Sequence, residues 1–328
     1  MTALQHPAHA LVYTGPGQAR LETVELRAPA QGEVLVQTRY SALSRGTERL
    51  IFNGLVPESE RGRMRAPFQV GEFPFPVRYG YAAVGKVVQG PTDLMGRDVF
   101  CLHPHQDSFL VPAASVVPLP PDVPASRAVL AANMETALNA VWDAKLRPGM
   151  RILVVGAGLL GRLISDLLLR REDMSVTVTD VQVDPVIRMD DECVSPIHPS
   201  QVAPGAYDLA FHTTASAAGL ATALDALVFE GRVIELSWFG EKAPQVPLGG
   251  AFHAKRLTIQ SSQVGHIAPS RRAHISHDDR LTKALELLAP TRLDQLITAE
   301  VAFQELPAAL PGLLAPGAPG IATRIAYS

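Results

Sequence analysis

Two kinds of apolar segment alternate through the middle of the chain, and together they predict strands and helices in turn. Residues 152–155 form a continuous apolar run with two valines, which is typical of a strand buried on both faces. Between residues 159 and 168 the apolar positions recur with a helical period instead. This alternation predicts a doubly wound α/β domain with a parallel sheet. Its further predicted elements are strands at 175–180, 207–212, 231–238 and 257–263 and a helix at 219–227.

The first 120 residues show short segments with strand character, separated by glycine and proline. Residues 41–48 are polar and are predicted to form a tight turn. Residues 52–76 show no period, and because loops this long are usually functional or disordered, this one is a candidate lid over a substrate. The predicted strands of this region are 10–13, 18–26, 33–40, 82–88, 98–102 and 108–112. The last part of the chain is predicted to contain helices at 280–288 and 305–314 and strands at 296–301 and 323–326.

The turn after the strand at 151–155 carries glycines spaced as G-x-G-x-x-G. The first glycine permits a tight turn, the second lets the backbone approach a pyrophosphate, and the third lets helix and strand pack closely. The phosphates would then lie at the helix N-terminus, where unpaired N–H groups and the helix dipole favour anions. The predicted dinucleotide-binding residues of this turn are Gly156, Ala157, Gly158, Leu159, Leu160 and Gly161.

An acidic residue, Asp180, ends the second strand of the α/β region. It lies 24 positions after Gly156, near the separation of roughly 20 expected for the acid that accepts hydrogen bonds from the adenosine ribose hydroxyls. The next residues, Val181, Gln182 and Val183, include no arginine that could hold a 2′-phosphate. The expected cofactor is therefore NAD rather than NADP.

Composition narrows the class of protein. The chain has 328 residues, enough for two domains, and is 47% hydrophobic and 19% charged, as expected for a globular protein with a substantial core. Its net charge of −3 indicates no binding to nucleic acid or to an anionic membrane. The N-terminus lacks a basic region followed by an apolar run, and no segment approaches the length of a transmembrane helix, so a cytoplasmic location is expected. Cys101 and Cys193 are too few for a disulfide framework or a four-cysteine zinc lobe.

Several landmarks make the chain resemble the medium-chain dehydrogenase/reductase superfamily, the zinc-type alcohol dehydrogenases and their relatives. The resemblance implies a GroES-like, β-rich catalytic domain at 1–132 that is completed by a C-terminal return at 271–328. It places a Rossmann NAD-binding domain at 133–270 and implies an active site in the cleft between the domains. The landmarks are Gly-Thr-Glu at 46–48, glycines at 80 and 85, Gly-Arg-Asp-Val at 96–99, the glycine turn with Asp180, and Asp208 with Gly-Arg-Val at 231–233.

Members of this superfamily that use catalytic zinc supply cysteine, histidine and glutamate ligands, and this sequence departs from the pattern at each place. Hydroxyl, phenol and methyl groups do not bind Zn²⁺ as thiolate and imidazole do, so no zinc is expected. The residues at the ligand positions are Ser44 or Arg45 for the cysteine, Tyr81 and Ala82 for the His-Glu pair, and Ala132 and Asn133, with Glu135 nearby, for the third ligand.

Without a metal, hydride transfer to or from nicotinamide needs another group at the substrate oxygen to donate or accept the proton. Tyr81 is the leading candidate because it stands at the vacated ligand position; the alternative is an aromatic ring that only fills that space. His103 and His105 are further candidates, and surface histidines in a proline-containing loop are the alternative.

Three polar residues of the predicted turn at 41–48 are also candidates for the catalytic site. Glu48 is predicted to orient Thr47 or to pair with Arg45, and the alternative is a structural turn capped by these side chains. The resemblance also gives a role to Arg324 in the last strand, where relatives carry a basic residue to the cofactor phosphates.

Ligands of doubly wound sheets bind at the carboxyl ends of the strands. Thr213 and Thr214 follow the strand that ends at His212, and Ser237 and Trp238 lie at the end of the next predicted strand. These four residues are therefore predicted to contact the cofactor. The resemblance further implies a homodimer, formed by edge-to-edge pairing of the last strand of the nucleotide domain.

The segments Ser-Arg-Gly-Thr-Glu and Pro-His-Gln most resemble those of the bacteriochlorophyllide dehydrogenases, which oxidise a secondary hydroxyethyl group on a large ring. The expected function is a zinc-independent, NAD-dependent transfer of hydride between nicotinamide and an alcohol or carbonyl group. The expected substrate is a small molecule with a bulky structure, rather than a macromolecule. Two alternatives stay open: a quinone- or enoyl-type reductase, and a non-catalytic NAD(H)-binding sensor or scaffold.

Overall fold

The computed structural model describes residues 6–183, 187–188 and 193–328. Residues 1–5, on which the expectation of no secretory leader rests, lie outside the described part. The helices are α1 (Arg45–Phe52), α2 (Ala125–Ala128), α3 (Ala131–Asp143), α4 (Leu159–Leu169), α5 (Ala217–Ala226), α6 (His277–Glu286) and α7 (Leu306–Leu313). The strands are β1 (His6–Gly15), β2 (Gln18–Leu26), β3 (Glu33–Ala42), β4 (Val70–Gly71), β5 (Val77–Arg78), β6 (Ala83–Gln89), β7 (Asp98–Cys101), β8 (Ser108–Pro112), β9 (Val117–Pro118), β10 (Arg151–Val155), β11 (Ser175–Thr179), β12 (Ile187–Arg188), β13 (Cys193–Val194), β14 (Tyr207–His212), β15 (Leu227–Glu235), β16 (Thr258–Ser261), β17 (Ile297–Ala302) and β18 (Ala322–Ala326).

The chain folds into two compact units. The first is formed by Met1–Ala132 together with Leu281–Ser328, and the second by Asn133–Arg280. Residues 271–280, predicted to begin the C-terminal return, group with the second unit. No helix in the described part of the chain has the length and hydropathy needed to span a membrane.

The second unit contains a five-stranded parallel sheet, in the order β11-β10-β14-β15-β16, as the alternating segments predicted. The central strands β10 and β14 each have four consecutive buried residues, which explains their continuous apolar runs. One face packs on α5, where Leu220 and Leu224 belong to the same buried apolar cluster as Leu153 and Val233. The α/β fold expected from the sequence is confirmed.

The first unit is built on antiparallel pairing, with one parallel pair formed by β17 and β18. Its larger sheet has the order β17-β18-β3-β6-β7-β9, with β8 also paired to β3, and its smaller sheet has the order β2-β1-β5-β4. Alternate residues of the larger sheet point into a common core that contains Val34, Val36, Val99 and Phe109. These strands support the polar side chains described below.

The predicted turn at 41–48 is wrong, because α1 begins at Arg45. Leu50, Ile51 and Phe52 are buried, and this apolar patch holds the helix against the core. The polar residues before it form the first helical turn. The Glu48 carboxylate accepts a hydrogen bond of 2.7 Å from the Ser44 backbone N–H, so a side chain within the helix caps its own N-terminus.

A buried arginine ties together three segments of the second unit. The Arg280 guanidinium is 2% exposed and donates to Glu135 at 3.0 Å, to the Asn139 side-chain oxygen at 2.7 Å and to the Val264 carbonyl at 2.5 Å. Burial raises the pKa of Glu135, and the adjacent Arg280 charge opposes that shift. This network explains why residues up to 280 belong with α3 rather than with the C-terminal return.

Replacing Arg280 with alanine is expected to destabilise the protein by about 3–5 kcal/mol, because Glu135 is left as a buried charge without its partner. Arg256→Ala is the matched control, since the Arg256–Glu230 pair is exposed and contributes below about 1 kcal/mol. Urea unfolding followed by circular dichroism measures both. Equal, small effects of the two substitutions would contradict the role assigned to Arg280.

Candidate functional site

The glycine turn between β10 and α4 has two positions that exclude a side chain and one that is open. A Cβ on Gly161 would lie 1.9 Å from the Gly156 carbonyl oxygen, and one on Gly156, whose φ is +111°, would lie 2.5 Å from the Thr213 hydroxyl. A Cβ on Gly158 would meet no atom within 4 Å. Packing therefore demands glycine at 156 and 161, whereas Gly158 faces free space in which a ligand can approach the backbone.

The acid after β11 is held against this turn. The Asp180 carboxylate accepts from the Ala157 backbone N–H at 2.7 Å and from the Gln182 N–H at 2.9 Å. On the other side of the turn, the Arg162 side chain donates to the Ala157 carbonyl at 2.7 Å. Leu159 and Leu160 follow as half-buried residues in the first turn of α4. The predicted turn residues and Asp180 thus lie together.

Strand register brings the predicted residues Thr213, Thr214 and Ser237 to the same edge of the sheet. Val155 pairs with His212, and His212 pairs with Glu235, so β10, β14 and β15 end side by side. Thr213 donates from its backbone N–H and its hydroxyl to the Val155 carbonyl, at 3.0 Å and 3.1 Å.

Thr214 and Ser237 belong to a polar network at this edge. The His212 imidazole, which is fully buried, lies 2.6 Å from the Glu235 carboxylate and 2.6 Å from the Thr214 hydroxyl. Ser237 donates from its backbone N–H to Glu235 at 2.7 Å. Trp238 follows and is half-buried.

A second polar cluster lies in the first unit, around a carboxylate that is 1% exposed. Glu48 accepts hydrogen bonds from the Tyr13 hydroxyl at 2.7 Å, from His105 Nε2 at 3.0 Å and from the Ser44 N–H. Because the carboxylate only accepts, His105 carries a proton on Nε2, and its Nδ1 lies 2.8 Å from the Ser41 hydroxyl, from which it accepts in the tautomer with a single ring proton. Burial raises the pKa of Tyr13, and the Glu48 charge raises it further.

Tyr81 lies against the N-terminal turn of α1. Its phenol donates to the Ser44 hydroxyl and lies 3.3 Å from the Thr47 hydroxyl. Burial raises the pKa of Tyr81 to about 12, while the two hydroxyl contacts act in the opposite direction. The phenol is therefore protonated at neutral pH. Tyr81, Thr47, Glu48 and His105 form one cluster.

Two predicted residues are engaged elsewhere in the first unit. The Arg45 guanidinium donates to the backbone carbonyls of Gly320, at 2.7 Å, and of Pro319, so it does not pair with Glu48. Arg324 donates to the Glu300 carboxylate at 2.6 Å and lies over the Tyr40 ring. Its contact with cofactor phosphates stays a prediction.

Sequence reasoning missed four members of these clusters: Tyr13, Ser41, His212 and Glu235. His212 and Glu235 carried a usable signal, because each is the last residue of a strand in a parallel sheet and such residues meet at one edge. Tyr13 and Ser41 sit within strands of the first unit and show no local pattern that marks them. Their role depends on which strands become neighbours.

No protein-family model matches the chain. It is 31% identical over 178 residues to the 2-desacetyl-2-hydroxyethyl bacteriochlorophyllide A dehydrogenase of Cereibacter sphaeroides. The match covers 48% of this chain and 52% of that protein, so the chain spans about half the length of the curated relative.

Two solved structures share the fold over nearly the whole chain. A dehydrogenase of Sinorhizobium meliloti, described as zinc-binding and bound to NADP, superimposes with a TM-score of 0.75 at 15% identity, covering 98% of this chain and 100% of its own. An Escherichia coli alcohol dehydrogenase complexed with NADH gives a TM-score of 0.70 at 18% identity, covering 98% of this chain and 99% of its own.

The chain therefore shares the fold of these dehydrogenase structures over nearly its whole length. This agrees with the α/β fold that the resemblance implied. The expected similarity to a bacteriochlorophyllide dehydrogenase is confirmed.

Zinc is the metal that the resemblance to zinc-type dehydrogenases implies, and the described side chains around Tyr81 do not fit it. The Tyr81 phenol and the Ser44 hydroxyl bind each other, and neither is a thiolate or an imidazole. Glu48 and His105 are likewise paired with each other inside the core. Among the described residues, no three His, Cys, Asp or Glu side chains are grouped so that they could hold a metal.

Both histidines of the loop after β7 are buried, so their interpretation as surface residues is wrong. His103 is 7% exposed and stacks on the Phe109 ring, with centroids 3.9 Å apart. Its Nδ1 lies 2.9 Å from the Pro104 carbonyl. Burial lowers the pKa of His103 to about 4, because the charged ring would lose its hydration.

The folded protein is expected to lose stability as the pH falls from about 6.5 to about 4, because unfolded His103 binds a proton there and the buried ring does not. The loss from this residue amounts to about 3 kcal/mol. His103→Phe should flatten the pH dependence of the unfolding free energy in that range, whereas the exposed His274→Phe should not. Parallel curves for His103→Phe and wild type would refute the assignment.

Proposed function

We propose that this protein is a zinc-independent, NAD(H)-dependent oxidoreductase, which transfers hydride between nicotinamide and an alcohol or carbonyl group of a bulky substrate. The observation that carries the proposal is the glycine turn, where Gly158 is open while Gly156 and Gly161 are required by packing. Dehydrogenases of the same fold that bind NADP or NADH add support.

The residues present fit a dinucleotide. The open backbone at Gly158, followed by the amides that begin α4, suits a pyrophosphate. Asp180 is fixed by two backbone N–H groups at the end of β11, so its free lone pairs can accept from ribose hydroxyls. The same charge would repel a 2′-phosphate, which favours NAD over NADP.

In the proposed reaction, bound nicotinamide supplies or accepts the hydride. Tyr81 is the proposed proton donor in carbonyl reduction: its O–H bond breaks and the proton passes to the substrate oxygen as the carbonyl carbon receives the hydride. Its pKa of about 12 keeps the proton available at neutral pH. Ser44 and Thr47 orient the phenol, and the Glu48–His105 pair holds the helix turn that carries them.

A bulky, largely apolar substrate is proposed from two observations. The curated relative is named for a bacteriochlorophyllide, which has a large ring. In this chain, the segment at 53–76 leaves Leu55, Phe68 and Val70 exposed by 37%, 37% and 51%. Exposed apolar side chains in a long connecting segment suit contact with such a ring. We propose a secondary alcohol, or the corresponding ketone, attached to it.

Gly158→Ala is expected to weaken NADH binding at least about tenfold with no change in the thermal midpoint. The new methyl group meets no protein atom, yet it fills the space that a pyrophosphate needs. Fluorescence titration measures the affinity. Gly62→Ala is the matched control, because its Cβ also meets no atom within 4 Å. Failure of the wild-type protein to bind NADH, or tighter binding of NADPH, would refute the cofactor assignment.

Tyr81→Phe is expected to lower kcat for ketone reduction by at least about tenfold with little change in KM, because only the proton donor is lost. Oxidation of NADH, followed by its absorbance, is measured with ketones, quinones and enones, and the reverse reaction with alcohols. The neighbouring Tyr79→Phe is the control. Unchanged kinetics would make Tyr81 a packing residue, and tight NADH binding without any turnover would favour a sensor.

A further inference from the structure

The network that ends β14 and β15 has the arrangement carboxylate, imidazole, hydroxyl. Glu235 Oε2 lies 2.6 Å from His212 Nδ1, and His212 Nε2 lies 2.6 Å from the Thr214 hydroxyl. His212 is fully buried, whereas Thr214 is exposed. The proposed hydride transfer does not use these residues. A half-buried carboxylate and a buried imidazole are thus hydrogen-bonded in series to one exposed hydroxyl group.

The direction of each hydrogen bond follows from its neighbours. Glu235 accepts at Oε1 from the Ser237 backbone N–H and at Oε2 from His212 Nδ1, so Nδ1 carries a proton. In the tautomer with this single ring proton, Nε2 accepts from Thr214, which donates its only proton. Thr214 therefore presents an oxygen that can only accept further hydrogen bonds. One of these comes from the Ser216 hydroxyl at 2.9 Å, which leaves room for a donor from a ligand.

The Ser237 side chain has the opposite polarity. Its oxygen accepts the Ala215 backbone N–H at 3.0 Å and lies 3.4 Å from the protonated His212 Nδ1, so its own proton is free to be donated. The loop is held in an unusual conformation, with Ala215 at a φ of +50°. The edge of the sheet thus offers one fixed acceptor, Thr214, and one free donor, Ser237.

The loop lies directly beside the glycine turn. A Cβ on Gly156 would come within 2.9 Å of the Thr214 methyl group and 2.5 Å of the Thr213 hydroxyl. Thr214 and Ser237 follow β14 and β15, which lie on the opposite side of β10 from Asp180 and β11. If Asp180 holds the adenosine ribose, this pair is at the half of the sheet edge available to the nicotinamide half of the cofactor.

We propose that Thr214 and Ser237 bind the carboxamide of nicotinamide, and that Glu235 and His212 are positioning residues that fix the polarity of Thr214. A primary amide has N–H donors and a carbonyl acceptor, which complement the Thr214 oxygen and the Ser237 hydroxyl. The proposal rests on the NAD(H) function above and adds the residues that bind the nicotinamide ring through its carboxamide.

The first test compares NADH with its 3-acetylpyridine analogue, in which a methyl group replaces the amide NH₂. The wild-type protein is expected to bind NADH about three- to tenfold more tightly than the analogue, which is the range of one neutral hydrogen bond. Thr214→Val should lose this preference because only its affinity for NADH falls, whereas Thr214→Ser should keep the preference. Thr222→Val, on the exposed side of α5, is the control and should match wild type.

The second test reverses the polarity of Thr214 without changing the shape of the site. In Glu235→Gln the amide oxygen must face the Ser237 N–H, so the amide NH₂ faces His212 Nδ1 and moves the ring proton to Nε2. Thr214 then accepts from the ring and turns its own proton outward. NADH affinity should fall as in Thr214→Val, and Thr214→Val added to Glu235→Gln should cause no further loss.

A nitrogen-15 NMR spectrum of the histidine rings shows which ring nitrogen of His212 carries the proton. This proton position would not change if Glu235 only stabilised the fold. Nε2 of His212 is expected to be unprotonated in the wild-type protein and protonated in Glu235→Gln, and His212→Gln identifies the signals. Thermal midpoints verify that each variant folds.

The outcomes separate this inference from the proposed function. If the wild-type protein binds no NADH, the cofactor assignment fails. If it binds NADH but Thr214→Val weakens NADH and the analogue equally, or weakens neither, the carboxamide assignment fails alone. Additive losses from Thr214→Val and Glu235→Gln would refute the positioning role of Glu235 and His212.

Discussion

The register of the parallel strands β10, β14 and β15 is the constraint on which the nucleotide-binding part depends. Parallel strands in register end at one edge, so Val155, His212 and Glu235 lie side by side. Gly156 continues from Val155 into the glycine turn, and Thr213 anchors its own loop on the Val155 carbonyl. A shift of the register by one residue would turn each side chain to the other face of the sheet and separate these groups.

Each of the two units contains a carboxylate paired with a fully buried imidazole, and the two pairs act in the same way. Burying a carboxylate is unfavourable unless hydrogen bonds replace its hydration. Glu48 receives donors from Tyr13, His105 and Ser44, and Glu235 receives donors from His212 and Ser237. Each carboxylate fixes the tautomer of its histidine and thereby the direction of the next hydroxyl.

This arrangement differs from a metal centre in what it can do. A metal ion polarises an oxygen through its charge, and its ligands are thiolates and imidazoles. In the first unit, the Tyr81 phenol is hydrogen-bonded to the Ser44 hydroxyl and not to a metal ligand of the thiolate or imidazole type. The proton on a phenol of high pKa is held until a more basic oxygen approaches.

The sequence by itself determined the longer strands and helices of the α/β region and the glycine turn with Asp180, because these depend on local periodicity and on short spacings. The prediction of a turn at 41–48 is wrong for a local reason. Glu48 caps α1 from within the helix, so the first helical turn is polar and has the composition of a loop. Only the tertiary structure decided that Tyr13, Ser41, His105 and Glu48 form one cluster, and that His212 and Glu235 face each other. Those contacts join residues that are far apart along the chain, and they follow from strand order and register.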